Sequence, residues 1–165
     1  MKNYLNYIKE SSNKLDDVII KCIEENCYKP LSVLNKEYVM KFILDNFNFD
    51  LDKINFEELI KYKFPLYVKN EYGRTSLMLA SVHNNIEIVK LLIDARVDVN
   101  LQEKDGWTAL MFATTNYNKK IVKLLIDAGA DINIKNNKGN TALIFSKIIK
   151  NKEIIELLKS KGAKE

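Results

Sequence analysis

Apolar residues recur along this chain at the spacing of one helix face. The clearest set is Ile121, Val122, Leu124, Leu125 and Ile126. Nearer the N-terminus, Leu15, Val18, Ile19, Cys22 and Ile23 mark one apolar face, ended by Pro30. Tyr38, Val39, Phe42, Ile43 and Phe47 mark a second. Asn55, with Glu58 three residues on, resembles a capping box that opens a third helix bearing Phe56, Leu59 and Ile60. The pattern predicts an all-α chain of short amphipathic helices.

Over the second half of the chain the pattern repeats. "EYGRTSLMLA" begins at Glu71, "KDGWTALMFA" at Lys104 and "NKGNTALIFS" at Asn137. Gly73, Gly106 and Gly139 are 33 residues apart, as are Thr75, Thr108 and Thr141, and Leu77, Leu110 and Leu143. The same step joins "IEIVKLLIDARVDVN", "KKIVKLLIDAGADIN" and "KEIIELLKSKGA", and no insertion breaks the register. In each copy glycine supplies positive φ at a tight turn, and threonine caps orphan N–H groups at a helix start. A short first helix follows, with a small residue at Ala80, Ala113 or Ser146 that lets neighbouring units approach. A turn leads to a second helix, which ends at Gly129 in the middle copy, and a short hairpin runs out to the next turn. Neither helix can bury its apolar face alone, so stacking of the units supplies the core.

The phrase G-x-T-x-L-x-x-A, then I-V-K-L-L-I-D, then G-A-D-I-N, at period 33, resembles the ankyrin repeat family over residues 70–165. There are departures. Ser76, Ala109 and Ala142 stand where the family usually has proline, and Arg96 replaces the glycine that ends the second helix. Asn84, Tyr117 and Lys150 stand at the turn between helices, where the family usually has glycine. The resemblance implies an ankyrin solenoid of three repeats, 70–102, 103–135 and 136–165. Residues 1–69 read as a helical N-terminal cap of degenerate repeats, because Phe56, Leu59 and Ile60 fall 33 before Val89, Leu92 and Ile93. A separate small α-domain over the same residues is the alternative.

Composition changes this picture little. Hydrophobic content of 47% and charged content of 29% are ordinary for a globular chain, and the net charge is +4. Residues 1–69 carry 11 basic and 11 acidic groups, residues 70–134 carry 7 and 8, and residues 135–165 carry 8 and 3. The excess is therefore terminal, and a lysine-rich end reads as a solvated cap before it reads as an anion site. Cys22 and Cys27, five apart on a helix, lie on different faces and do not readily pair, which suggests a reducing compartment. The N-terminus lacks the apolar run of a signal peptide, and no window approaches a membrane span, so a cytoplasmic location is expected.

Candidate chemistry is sparse. All five glycines belong to repeat turns and helix ends, which leaves no loop to cradle a phosphate. One histidine and two cysteines are too few ligands for a structural zinc, and Ser81 and His83 are two apart, so they do not face one another. No cofactor, metal site, membrane contact or nucleic-acid partner is expected, and the chain reads as non-enzymatic. What the resemblance implies is a surface for another protein, made by the hairpin tips and the exposed side of the first helices. Carried onto this sequence, the tips offer Tyr72, Arg74, Lys104, Asp105, Trp107, Lys138 and Asn140. The first helices offer Val82, His83, Thr115 and Asn116. Trp107 has two readings, packing between hairpins or anchoring a partner. His83 reads as an ordinary exposed helix residue or a pH switch. The expected protein is a protein-binding module, monomeric when alone; the alternative is a structural or regulatory unit whose N-terminal helices self-associate.

Overall fold

The computed structural model describes residues 15–46 and 53–164. In chain order it contains α1 (Leu15–Glu24), a 3-10 helix (Lys29–Val33), α2 (Lys36–Asn46) and α3 (Phe56–Lys61). Three helix pairs follow: α4 (Ser76–Val82) with α5 (Ile86–Asp94), α6 (Ala109–Thr115) with α7 (Lys119–Asp127), and α8 (Ala142–Ile148) with α9 (Lys152–Ser160). Phe47 and the side chains of Leu15 and Val18 lie outside the described residues.

Local chemistry explains where each helix starts. Thr75, Thr108 and Thr141 accept the N–H of Met78, Met111 and Ile144 at 3.4, 3.3 and 3.3 Å. The second helices use asparagine instead: Asn85, Asn118 and Asn151 accept from Ile88, Ile121 and Ile154 at 2.9, 3.1 and 3.1 Å. Each cap is worth about 1 kcal/mol.

Helix ends follow an equally regular rule. Arg96 has φ 58°, its N–H donates to Ile93, and the next N–H, that of Val97, donates to Leu92. Gly129 and Gly162 end α7 and α9 with the same pair of bonds, and so does Lys63 after α3. Lys63, Arg96, Gly129 and Gly162 are spaced by 33, which puts α3 in register with the second helices of the repeats. Asn26 closes α1 in the same manner. Asn84, Tyr117 and Lys150 also adopt positive φ at the turns between paired helices. The departures from glycine have therefore not changed the backbone path; they place costlier residues on it.

The first helices α4, α6 and α8 pack in one row, the second helices α5, α7 and α9 pack in another, and α3 extends the second row against α5. Ala80, Ala113 and Ser146 are wholly buried, as close approach along the first row requires. One apolar core runs from Ile19 and Cys22 through Leu59 and Leu92 to Leu158.

The N-terminal helices join this core through Tyr28, which is fully buried. Its Oη accepts the N–H of Asn55 at 2.9 Å, and burial pushes the phenol pKa up. The expected capping box is thus half made. Asn55 does accept from Glu58 N–H at 3.0 Å, but the Asn55 N–H is satisfied by Tyr28 and Glu58 turns instead to Lys61. On α2 the buried residues are Val39, Met40, Ile43 and Leu44. Tyr38, expected on the apolar face, is exposed, because the buried stripe turns towards Met40 and Leu44.

Candidate binding surface

Each repeat projects a five-residue tip: Asn70–Arg74, Glu103–Trp107 and Asn136–Asn140. In every tip the first residue folds its side chain over the turn. Asn70 Oδ1 accepts the N–H groups of Tyr72 and Arg74 at 3.1 and 2.9 Å. Glu103 Oε1 accepts from Asp105 and Trp107 at 2.9 and 3.0 Å, and Asn136 Oδ1 from Lys138 and Asn140 at 3.0 and 2.9 Å. The backbone closes the same turn, with Asn70 N–H on Arg74 O, Glu103 N–H on Trp107 O and Asn136 N–H on Asn140 O. The glycine N–H of each tip adds a second bond, to the carbonyl of the first tip residue, and two bonds within one five-residue turn do not make a ladder. The expected β-hairpins are therefore tight turns, with no strand among the described residues. Asn70, Glu103 and Asn136 went unnoticed in the sequence, although an acceptor side chain three residues before each repeat glycine was the available signal.

Neighbouring tips are tied together. Asn137 donates its backbone N–H to Asp105 O and its side-chain amide to Lys104 O, both at 3.0 Å. Gln102 Nε2 bridges Gly106 O and Lys135 O at 2.7 and 3.0 Å. At the N-terminal end, Asp45 of α2 accepts the N–H of Glu71 at 2.7 Å.

Beneath the tips runs a stripe of rings and one cation. The Arg74 guanidinium lies 5.8 Å from the Tyr72 ring and 5.1 Å from the Phe112 ring. Trp107 stacks on Phe112 with centroids 5.1 Å apart and lies tilted against Phe145 at 4.4 Å. Arg74 and Trp107 hold the same position in successive repeats, and each leans on the aromatic residue 38 positions later, Phe112 or Phe145. Trp107 therefore packs between repeats while remaining half-exposed. Phe145 is half-buried against Trp107 and the core, and Phe112, which meets both Arg74 and Trp107, was missed altogether. The sequence signal was there: Leu79, Phe112 and Phe145 share one register position, and aromatics replace leucine in the last two copies.

The remaining expected residues divide. Tyr72, Lys104, Asp105 and Lys138 are exposed on the tips, while Asn140 is half-buried. On the first helices His83 is exposed, but Val82, Thr115 and Asn116 are half-buried rather than open. Asn116 is drawn inwards because its amide donates to Val82 O in the preceding repeat, at 2.7 Å. Thr115 Oγ1 back-bonds to Met111 O and Phe112 O at 3.1 and 3.0 Å. Ser81 is buried with its hydroxyl on Leu77 O, turned from the exposed His83.

Among the described residues no group of His, Cys, Asp and Glu is placed to hold a metal ion. Nor is any helix there long and apolar enough to cross a membrane. Cys22 and Cys27 are both free thiols; Cys22 is buried, which pushes its pKa up to about 11.

Comparison with curated proteins returns no match. A family model, ankyrin repeats (3 copies), matches residues 32–103 and 77–165, so it begins in the 3-10 helix and spans α2, well before the phrase that repeats at period 33. Ankyrin repeats are generally protein–protein interaction modules and are typically non-enzymatic. With its period, its helix pairs and this match agreeing, the chain belongs to the ankyrin repeat family.

Proposed function

We propose that this protein is a non-enzymatic binding module whose partner protein contacts the hairpin tips and the concave face of the first helices. In this reading residues 1–69 cap the array and residues 70–165 supply three repeats. The supporting observation is the stripe from Tyr72 through Arg74, Phe112 and Trp107 to Phe145. It crosses all three repeats, joins tips braced by their own side chains to the first helices beneath them, and is partly open to solvent. Rigid aromatic and arginine side chains bring large contact area at low entropic cost, and such residues dominate interface energetics.

The test is a paired measurement on alanine variants, titrated against the partner isolated by affinity capture and melted in denaturant. Tyr72→Ala and Arg74→Ala should each weaken binding by about 2 kcal/mol or more with little change in stability. Trp107→Ala should lower both, because its ring contacts also join two repeats. Lys104→Ala and Asn140→Ala should cost binding less than about 1 kcal/mol, with Lys104 acting mainly on association rate. Full affinity in Tyr72→Ala, Arg74→Ala and Trp107→Ala would move the site elsewhere, first of all onto the N-terminal helices.

A further inference from the structure

Arg74 is the one cation of the stripe. Its guanidinium lies against two rings, its Nε is buried without a hydrogen-bond partner, and no carboxylate among the described residues pairs with it. The wall beside it is unusual in charge. The three first-helix segments, Thr75–His83, Thr108–Asn116 and Thr141–Ile149, contain no aspartate or glutamate, and Lys147 is their one formally charged side chain. Every carboxylate from residue 70 onwards belongs instead to a tip, a second helix, the loop after it or the C-terminus. Of the tip carboxylates, Glu103 is turned in and occupied by two backbone N–H groups, while Glu71 and Asp105 are exposed alongside the exposed Lys104 and Lys138.

Resting on the reading above, we propose that the partner presents an extended acidic segment of polypeptide to this face. One of its carboxylates accepts from the Arg74 guanidinium, and a neighbouring apolar side chain covers Trp107 and Phe145. A planar guanidinium already lying against two rings loses less freedom when it takes a carboxylate, so the interaction keeps more of its strength. A negatively charged segment meets no repulsion along the first-helix wall, whereas a basic segment finds no carboxylate there to pair with. Apolar cover on the rings removes water from the Arg74 site and strengthens the ion pair.

Trp107, the single tryptophan, stands in the stripe and reports on it directly. The experiment follows its fluorescence in the full chain as a random glutamate–tyrosine copolymer is added, with a lysine–tyrosine copolymer and an oligothymidylate as comparisons. The chain contains two arginines, so Arg96→Gln is a control with the same change of charge as Arg74→Gln. The expected result is a saturable response to the glutamate copolymer in the parent and in Arg96→Gln. In Arg74→Gln the affinity should fall at least about tenfold, as loss of a charge-assisted contact implies. Each variant is melted alongside; if Arg74→Gln does not fold, Arg74→Lys takes its place, with weaker binding than Arg96→Gln expected.

No response to the glutamate copolymer, or equal binding by the two arginine variants, would overturn the proposal. Tighter binding of the oligothymidylate than of the glutamate copolymer would overturn it in favour of nucleic acid. Phe145→Ala, titrated against the captured partner, separates this failure from that of the broader reading. If that variant loses affinity while Arg74→Gln does not, the face stands and only its acidic ligand falls.

Discussion

Gly106 and Gly139 hold the same position in consecutive tips, with φ of 80° and 77°, yet alanine should cost very different amounts at the two. At either site an L-residue in the left-handed region costs about 1–2 kcal/mol. Part of this is offset, by about 0.4–1 kcal/mol, because alanine has less unfolded freedom to lose than glycine. At Gly139 nothing lies within 4 Å of the added methyl, so Gly139→Ala should destabilise by only about 1 kcal/mol. At Gly106 the methyl would stand 2.8 Å from Asn137 N, 2.7 Å from Asn137 Oδ1 and 3.0 Å from Asn136 Cα. Two of those atoms are backbone, so the neighbouring tip must move. Its movement breaks the bonds from Asn137 to Asp105 O and Lys104 O. At about 0.5–1.5 kcal/mol each, their loss brings the total to about 2–4 kcal/mol. A gap of about 2 kcal/mol between variants corresponds to about 4–8 °C in melting temperature for a chain of this size. Urea and thermal melts followed by circular dichroism measure it. Equal costs at the two glycines would refute the claim that neighbouring tips are mechanically coupled.

Two further changes probe the helix ends and the N-terminal core. Arg96→Gly should raise the urea midpoint by about 0.5–1 kcal/mol equivalent, since it relieves a positive φ and leaves the two helix-closing bonds in place; a lowered midpoint would show that the Arg96 side chain makes a stabilising contact. Cys22 should resist a thiol reagent in the native protein and react only on unfolding, whereas half-exposed Cys27 should label first. The folded state keeps the Cys22 proton beyond the unfolded value of 9.0, so its contribution to stability is intact below pH 9 and is lost as pH rises towards about 11. Stability unchanged across that window in a comparison with Cys22→Ala would contradict the burial.

The architecture was legible because a strict repeat makes each copy a check on the others. Thr75, Thr108 and Thr141 announced three helix starts, and Gly129 and Gly162 showed what Arg96 must do. The aromatic stripe was harder to see. Arg74 and Trp107 touch rings 38 residues away, so no window within one repeat contains both partners. Asn116 was similarly misjudged: on its own helix it faces outwards, and only the preceding repeat supplies the Val82 carbonyl that draws it in. Helices α1 and α2, unlike α3, lie outside the period of 33, and Tyr28 joins their end of the chain to Asn55 through a side chain, without a shared motif. Contacts within a unit can be read from its own residues; contacts between units depend on a spacing that the fold alone defines.

The most direct test of the binding surface is amide hydrogen exchange of the full chain, alone and saturated with the captured partner. The tips at residues 70–74, 103–107 and 136–140, together with the first helices α4, α6 and α8, should gain protection. The second helices α5, α7 and α9 should exchange as they do in the free protein. Protection confined to the second helices or to α1 and α2, with the tips unchanged, would contradict the account.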